Sequence, residues 1–296
     1  MAEATVRGTP NTIEILAESG ISEGQVLQLK NGKAGYSLRD VSSGNRAEIQ
    51  ITGQARIPKT SGIKFLSGGR VWWDHSANAA HFKPVDDRDF PIGTAVGDWE
   101  SGESFLDVLL NDEPVYLIDI LRDAYRSVPV GTQALGGLAI KRNGGCLNFL
   151  LSSVSEAQKL DALSVAGFSK DANAIVEAIF AVVQKGGDSA VDVSIGVANG
   201  TNATDADNIT ESVFLHLNSN DLNAYLESDD GTTEVAATDS TYDVTEGAAV
   251  ANLVHVWFDF RDPADVQVYI DAVNKLPATT FNVNAATGPF KLLARS

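Results

Sequence analysis

Short runs of alternating apolar and polar residues, separated by turns that contain glycine, dominate this sequence. In residues 47–52 (AEIQIT) the apolar side chains occupy every second position, and the same period of two recurs in residues 191–197 and 254–260. Successive side chains of a β-strand point to opposite faces of a sheet, so this period predicts strands with one buried face. We therefore expect an all-β protein made of antiparallel sheets.

The length of the chain, 296 residues, favours two domains, because it exceeds what one small β domain requires. Residues 24–111 alternate throughout and predict a small β-barrel or sandwich. Near-helical spacing at residues 115–125, followed by Pro129 and several glycines, is typical of a connector. The predicted organisation is an N-terminal arm at 1–20, a first β domain at 21–112, a connector at 113–140 and a second β domain at 141–296.

The second domain contains the clearest local prediction. Residues 254–260 and 266–271 both alternate and flank a polar turn, so we expect them to pair as an antiparallel hairpin. Residues 171–185 end at two glycines and would also suit a capped helix, but the β context favours a buried central strand. In the first domain, residues 69–82 predict another hairpin, with Trp72 and Trp73 on opposite faces.

Composition excludes several classes of function. The net charge of −17 repels phosphate backbones and anionic lipids, so neither nucleic acid nor a membrane surface is expected as a partner. The single cysteine, Cys146, lies in an apolar stretch and is interpreted as a buried small side chain. The sequence has no signal peptide and no apolar stretch long enough to span a bilayer, which predicts a soluble product that is not exported by itself.

Motifs that would indicate catalysis are also missing. The sequence contains no phosphate-binding loop, dinucleotide-binding fingerprint, nucleophile elbow or metalloprotease helix. We therefore expect a non-enzymatic protein with no catalytic residue, no cofactor and no assigned metal ligand.

The first third of the chain resembles the small decoration (cement) proteins of tailed-phage heads in its order of short strands and glycine turns. The resemblance is carried by residues 23–27, 47–53, 72–74, 91–97 and 101–110. It implies a protein on the outer surface of the virion, synthesised in the host cytoplasm, that binds the major capsid protein. It also implies a homotrimer that reinforces contacts between capsid subunits.

The second domain looks like the concanavalin A-like jelly roll of lectins and laminin-type domains. Residues 190–199, 216–230 and 255–271 carry this resemblance, which implies an antiparallel sandwich but does not specify a ligand. Such jelly rolls usually have another strand beyond the position of Ser296, so a clipped chain or a strand supplied by a neighbour is expected.

Two sets of residues are candidates for interaction surfaces. His255, Trp257 and Tyr269 fall on the polar side of the predicted hairpin, where their rings would either stack on sugars or a protein, or pack beneath a second layer. Hydrophobic residues of the arm and tryptophans of the first domain are candidate capsid anchors. These anchors are Ile13, Ile15, Leu16, Trp72, Trp73 and Trp99.

Three chemical alternatives carry less weight. Residues 227–234 come closest to a glycosidase motif, but Thr232 replaces its second glutamate and residues 230–231 suggest a turn. Residues 202–208 offer oxygen ligands for Ca²⁺ but lack the pattern of an EF-hand loop. Asp74, His75 and His81 would bind Zn²⁺ only if the turn brought them together.

We therefore predict a capsid decoration protein whose first domain and arm bind the shell while the jelly roll projects outward. The alternative function is a carbohydrate-binding adhesin that attaches the virion to surface glycans through Trp257 and Tyr269.

Overall fold

A computed structural model describes residues 11–114, 124–126, 130–131, 149, 151, 157–186, 191–218 and 221–296. The chain divides into two compact units, Met1–Val115 and Tyr116–Ser296. Antiparallel sheets form both units, and the described residues contain two short 3-10 helices but no α-helix. In that part of the chain no helix has the length and hydropathy needed to cross a membrane. The predicted all-β class is confirmed.

Nine strands form the first unit. They are β1 Thr12–Leu16, β2 Val26–Gln28, β3 Ala34–Ser37, β4 Arg46–Gln50, β5 Gln54–Pro58, β6 Arg70–Asp74, β7 Ala79–His81, β8 Phe90–Ala95 and β9 Phe105–Leu110. One sheet has the order β1-β4-β3-β2 and the other the order β5-β9-β8-β6-β7. The predicted hairpin of β6 and β7 is present, with Trp72 opposite His81.

The alternation of β4 produces the predicted buried face. Ala47 and Ile49 are fully buried in a cluster with Val41 and Ile51, while the side chains between them are at least partly exposed. Burying a side chain such as Ile49 contributes roughly 1.5–3 kcal/mol. Asn111 links the two sheets of this unit: its side chain accepts a hydrogen bond from Ala34 N at 2.9 Å and donates to Ile51 O at 2.6 Å.

The second unit contains the remaining strands. They are β10 Ala124–Arg126, β11 Asp161–Ser164, β12 Ile175–Phe180, β13 Asp192–Ala198, β14 Glu211–Asn218, β15 Asn223–Asp230, β16 Glu234–Asp243, β17 Val254–Asp259, β18 Gln267–Ile270, β19 Val273–Asn274 and β20 Lys291–Arg295. The 3-10 helices are η1, Ala206–Asn208, and η2, Val250–Asn252.

Two sheets enclose the core of the second unit. The larger has the order β10-β11-β20-β13-β14-β15-β16 and the smaller the order β12-β17-β18-β19. Val213, Leu215 and Leu226 from the larger sheet pack in one cluster with Val256 and Phe258 from the smaller. The other face of the larger sheet is therefore directed away from this core, and it carries the polar cluster described below.

The structure confirms the hairpin predicted for residues 254–271, since β17 and β18 pair antiparallel with Trp257 opposite Tyr269. Residues 175–180 form a strand as predicted, but β12 ends the order of its sheet among the described residues and is not central. The last three residues of β12, 178–180, are accordingly half-buried or exposed. Alternation and propensity identify a strand but do not determine its position in the sheet.

Two predicted boundaries require correction. Residues 12–16 are not a free arm, because β1 pairs along its whole length with β4 and places Ile13 and Ile15 against the core of the first unit. Residues 124–126, assigned to the connector, pair with β11 in the second unit. Most of the predicted connector and Cys146 lie outside the described residues, so these predictions stay untested.

Candidate functional site

The outward face of β5 and β9 combines exposed apolar side chains with an ion pair. Phe105 and Leu109 of β9 point outward and are 53% and 39% exposed. Between them, Asp107 accepts two hydrogen bonds from Arg56 of β5, at 2.7 and 3.0 Å. The Arg56 guanidinium also lies 5.7 Å from the centre of the Trp99 ring. We call these five residues the β5–β9 face.

This face has the composition of a protein-binding surface. Aromatic and arginine side chains are enriched in interfaces, and a pre-formed bidentate ion pair fixes the guanidinium with little further loss of entropy. The pKa of Asp107 is lowered because the hydrogen bonds and charge of Arg56 outweigh the opposing effect of burial. The face therefore offers apolar contacts around a fixed polar centre.

The predicted capsid anchors of the first unit differ in how exposed they are to solvent. Leu16 is exposed, and Trp72 and Trp99 are half-buried, whereas Trp73 is buried in the core and is not available as an anchor. Sequence reasoning missed Phe105 and Leu109, although both faces of β9 are apolar in the sequence. That pattern is the signal that would have identified them.

The rings of His255, Trp257 and Tyr269 are not exposed. His255 and Trp257 are fully buried and Tyr269 nearly so. Glu177 of β12 lies beside the first two rings: its Oε1 atom is 2.7 Å from His255 Nε2 and accepts a hydrogen bond from Trp257 Nε1 at 3.3 Å. Of the two alternatives, packing beneath other structure is correct. The other alternative, an open platform for sugar stacking, does not fit these rings, because both faces of β17 are covered.

A buried histidine lies on the face of the larger sheet that is directed away from the main core. His216 of β14 is fully buried, directly opposite Ser194 of β13 and diagonal to Glu227 of β15. Its Nε2 atom lies 3.0 Å from Glu227 Oε1 and 3.5 Å from Ser194 Oγ. Sequence reasoning considered Glu227 only as part of a glycosidase motif and gave His216 no role.

Two further carboxylates complete this cluster. Oδ1 of Asp207, in η1, lies 3.4 Å from Nε2 of His216. Oδ1 of Asp192, in β13, lies 3.6 Å from the other ring nitrogen, Nδ1. Burial alone would lower the pKa of His216, but the surrounding carboxylates, Glu227 foremost, raise it to about 9. Burial raises the pKa of Asp192, which the charge of His216 partly offsets.

Hydrogen bonds to the backbone fix the loop that carries Asp207. Arg295 of β20 donates to Asn202 O at 3.0 Å and to Thr204 O at 2.6 Å, and Lys159 also donates to Asn202 O. The side-chain oxygen of Asn202 accepts from Thr204 N at 2.9 Å. The backbone oxygens of Asn202 and Thr204 already accept hydrogen bonds from cationic side chains, which disfavours the Ca²⁺ alternative considered for residues 202–208.

The other chemical alternatives are not favoured by the geometry. Asp74 Oδ1 accepts hydrogen bonds from the backbone of Ser76 and Ala77 at 2.8 Å, so this carboxylate stabilises its own turn. Asp230 likewise accepts from Thr233 N at 2.7 Å, which confirms a turn where a glycosidase would need a continuous strand.

One group of three potential metal ligands comes together among the described residues. It consists of Asp207, His216 and Glu227, whose ligand atoms all lie within 4.8 Å of one another. His75 and His81, the sequence-based candidates for Zn²⁺, are not part of any such group in that portion of the chain.

Comparison with solved structures finds weak similarity to a carbohydrate recognition domain. The Emp46p domain in its potassium-bound form is 11% identical with a TM-score of 0.32, over 47% of this chain and 70% of that chain. A mutant of the same domain is also 11% identical with a TM-score of 0.30, over 47% and 69%. No conclusion about ligands follows from likeness at this level. No curated protein matches the chain.

The first unit is similar to one protein family. Residues 6–110 match the model of the phage cement protein family, and this segment falls within the unit Met1–Val115. The match supports the resemblance carried by the strands and glycine turns of the first domain. Residues 6–110 of this chain are thus similar to phage cement proteins.

Proposed function

We propose that this protein decorates a tailed-phage capsid, binds the outer surface of the major capsid protein lattice and stabilises the head. The observation that carries the proposal is the match of residues 6–110 to phage cement proteins. In this proposal the protein is a homotrimer, made in the host cytoplasm and located on the outer surface of the virion. No catalytic step is involved.

The β5–β9 face is the proposed contact with the capsid. Phe105 is the largest of the exposed apolar side chains among the described residues of the first unit, and Leu109 and Trp99 of the same face are also accessible. Phe105 is 53% exposed, so burying the rest of the ring in a protein contact contributes roughly 1–1.5 kcal/mol. Each copy would need only a modest interface of this kind. A trimer that binds several capsid subunits at once gains avidity, so the individual contacts can be weak.

The edge of β1 offers a second, independent contact. β1 is the end strand of its sheet among the described residues, and Leu16 at its end is 63% exposed. An unpaired strand edge can add a strand from a partner. The segment that would contact the capsid here is therefore a folded strand and not the free arm that the sequence predicts.

The proposed contact is tested with a matched pair of variants. Leu109 and Leu38 are similarly exposed, at 39% and 41%, but Leu38 lies outside the β5–β9 face, next to β3. We expect Leu109→Ser to weaken binding to capsids lacking this protein roughly threefold or more, and its combination with Phe105→Ser to weaken it roughly tenfold or more, measured by co-sedimentation. Leu38→Ser should bind like the wild type. Equal binding by all three variants would exclude this face as the contact.

The burial of two aromatic rings argues against the adhesin alternative. It depended on open rings at Trp257 and Tyr269, and both are buried. The second unit is instead proposed to project from the shell.

A further inference from the structure

The cluster around His216 has features that a structural ion pair does not require. Three oxygen atoms, from Glu227, Asp207 and Ser194, surround the single Nε2 atom of His216 at 3.0, 3.4 and 3.5 Å. One N–H group can be directed at only one of them. A cation placed among these atoms would contact several at once.

We propose that Asp207, His216 and Glu227 bind a divalent transition-metal cation, with Zn²⁺ as the representative, and that Asp192 positions the histidine. This proposal concerns the second unit and is independent of capsid binding. The three ligands come from three different elements, η1, β14 and β15.

The distances suit a small tetrahedral cation. Zn²⁺ lies about 2.0–2.2 Å from nitrogen and carboxylate ligands, which places ligand atoms roughly 3.4 Å apart in a tetrahedron. Nε2 of His216 is 3.0 Å from Glu227 Oε1 and 3.4 Å from Asp207 Oδ1. An imidazole with two carboxylates favours Zn²⁺ and its neighbours in the first transition series over Ca²⁺, which prefers oxygen ligands alone.

The second ring nitrogen provides an independent observation. Nδ1 of His216 and Oδ1 of Asp192 are both buried, and neither makes a hydrogen bond within the described part of the chain. They face each other at 3.6 Å. Metal-binding histidines usually donate their other N–H to a carboxylate, which fixes the ring and its tautomer. A movement of a few tenths of an ångström would form this bond while Nε2 binds the cation.

The site is both accessible and held in place. The Asp207 side chain is 53% exposed while that of His216 is inaccessible, so a cation can enter from solvent and reach the buried nitrogen. Asp205 accepts a hydrogen bond from Asp207 N at 3.3 Å, and Arg295 holds the preceding backbone. Carboxylates outnumber cationic side chains around the site, and a divalent ion would reduce their mutual repulsion.

Binding would join η1 to the face of the larger sheet. Without the ion, the exposed carboxylate of Asp207 is connected to the sheet mainly through its contact with His216. With the ion, helix η1 and strands β14 and β15 share one centre. The predicted consequence is a metal-dependent increase in the thermal stability of the second unit.

The test uses the full-length protein after treatment with a chelator and gel filtration. Zn²⁺ is titrated by calorimetry into wild type, Asp207→Asn and the control Asp243→Asn, which changes an exposed aspartate on β16 away from the cluster. We expect binding of one Zn²⁺ that Asp207→Asn weakens at least tenfold and Asp243→Asn leaves unchanged. Circular dichroism confirms that the variants are folded, which is expected because both positions are exposed.

A second measurement identifies the ligands. Co²⁺ in a four-coordinate site with a histidine ligand gives intense visible absorption, and we expect this band in wild type and its loss in His216→Gln. Wild-type protein that binds no Zn²⁺, or an Asp207→Asn variant that binds it as tightly as the wild type, would overturn the proposal. So would a Co²⁺ spectrum unaffected by His216→Gln in a folded variant.

Discussion

Glu211 at the start of β14 is the residue whose replacement tests most directly how the second unit is held together. Its carboxylate is buried and accepts four hydrogen bonds. The donors are Thr287 N at 2.8 Å, Gly288 N at 2.9 Å, Asn199 Nδ2 at 3.0 Å and Thr287 Oγ1 at 3.1 Å. One side chain therefore joins the loop at residues 287–288 to the larger sheet.

Replacement by glutamine keeps the shape but puts an NH₂ group where one oxygen was. At least one backbone N–H, that of Thr287 or Gly288, then faces another donor and loses its acceptor. Hydrogen bonds to a charged group contribute about 1.5–3 kcal/mol and a buried unsatisfied N–H costs about 1–3 kcal/mol. We expect Glu211→Gln to reduce the free energy of unfolding by about 2–4 kcal/mol at pH 7.

The pH dependence provides a second readout. Burial would raise the pKa of Glu211, but the hydrogen bonds from Thr287, Gly288 and Asn199 outweigh it, and the pKa is lowered from 4.5. A carboxyl whose pKa is lower in the folded state stabilises the protein above its unfolded pKa, and this contribution disappears as the pH falls through the folded value. The difference between wild type and Glu211→Gln should therefore shrink below pH 4.5.

Scanning calorimetry of the full chain measures both effects. For a unit of this size, a loss of about 3 kcal/mol lowers Tm by roughly 10 °C. Glu234→Gln, an exposed position at the start of β16, is the control and should leave Tm unchanged. If Glu211→Gln melts within about 1 °C of wild type at pH 7, the four hydrogen bonds do not stabilise the fold and the reasoning is refuted.

Two further changes test the cores of the two units. Phe258→Ala removes a fully buried ring from the core between the two sheets of the second unit; it should destabilise that unit by about 3–5 kcal/mol, seen as a lower Tm of one calorimetric transition. Gly93→Ala places a Cβ only 1.9 Å from Leu109 O at a positive φ of 151°; β8 and β9 must separate, and we expect a lower urea midpoint for the first unit. Wild-type stability in either variant would contradict the corresponding packing.

Strands and hairpins were predictable from the sequence where the signal is local. The pairing of residues 254–259 with 267–270 follows from their alternation and the short polar turn between them. The environment of each face was not predictable, because a period of two separates the faces but does not show which is covered. For Trp257 an open face and a covered face therefore both stayed possible, and the structure buries the ring beside Glu177.

The candidate site in the second unit could not be read from the sequence for a related reason. Asp207, His216 and Glu227 form no short motif with a known ligand spacing. Their proximity depends on the register of β14 with β15 and on the loop that Arg295 fixes from the far end of the chain. Such register is specified by packing across whole sheets and not by neighbouring residues.

Strand β20 lies between β11 and β13 and pairs with both of them. The residues that β20 and β11 bring together are far apart in the sequence. For example, Leu292 N donates a hydrogen bond to Oγ of Ser164, 128 positions earlier. Contacts between such distant segments form late in folding. Until β20 inserts, one edge of β11 and one edge of β13 stay unpaired, and a strand from a second chain could pair with them. Strand exchange between copies, and the misassembly that accompanies it at high expression, should therefore begin between β11 and β13.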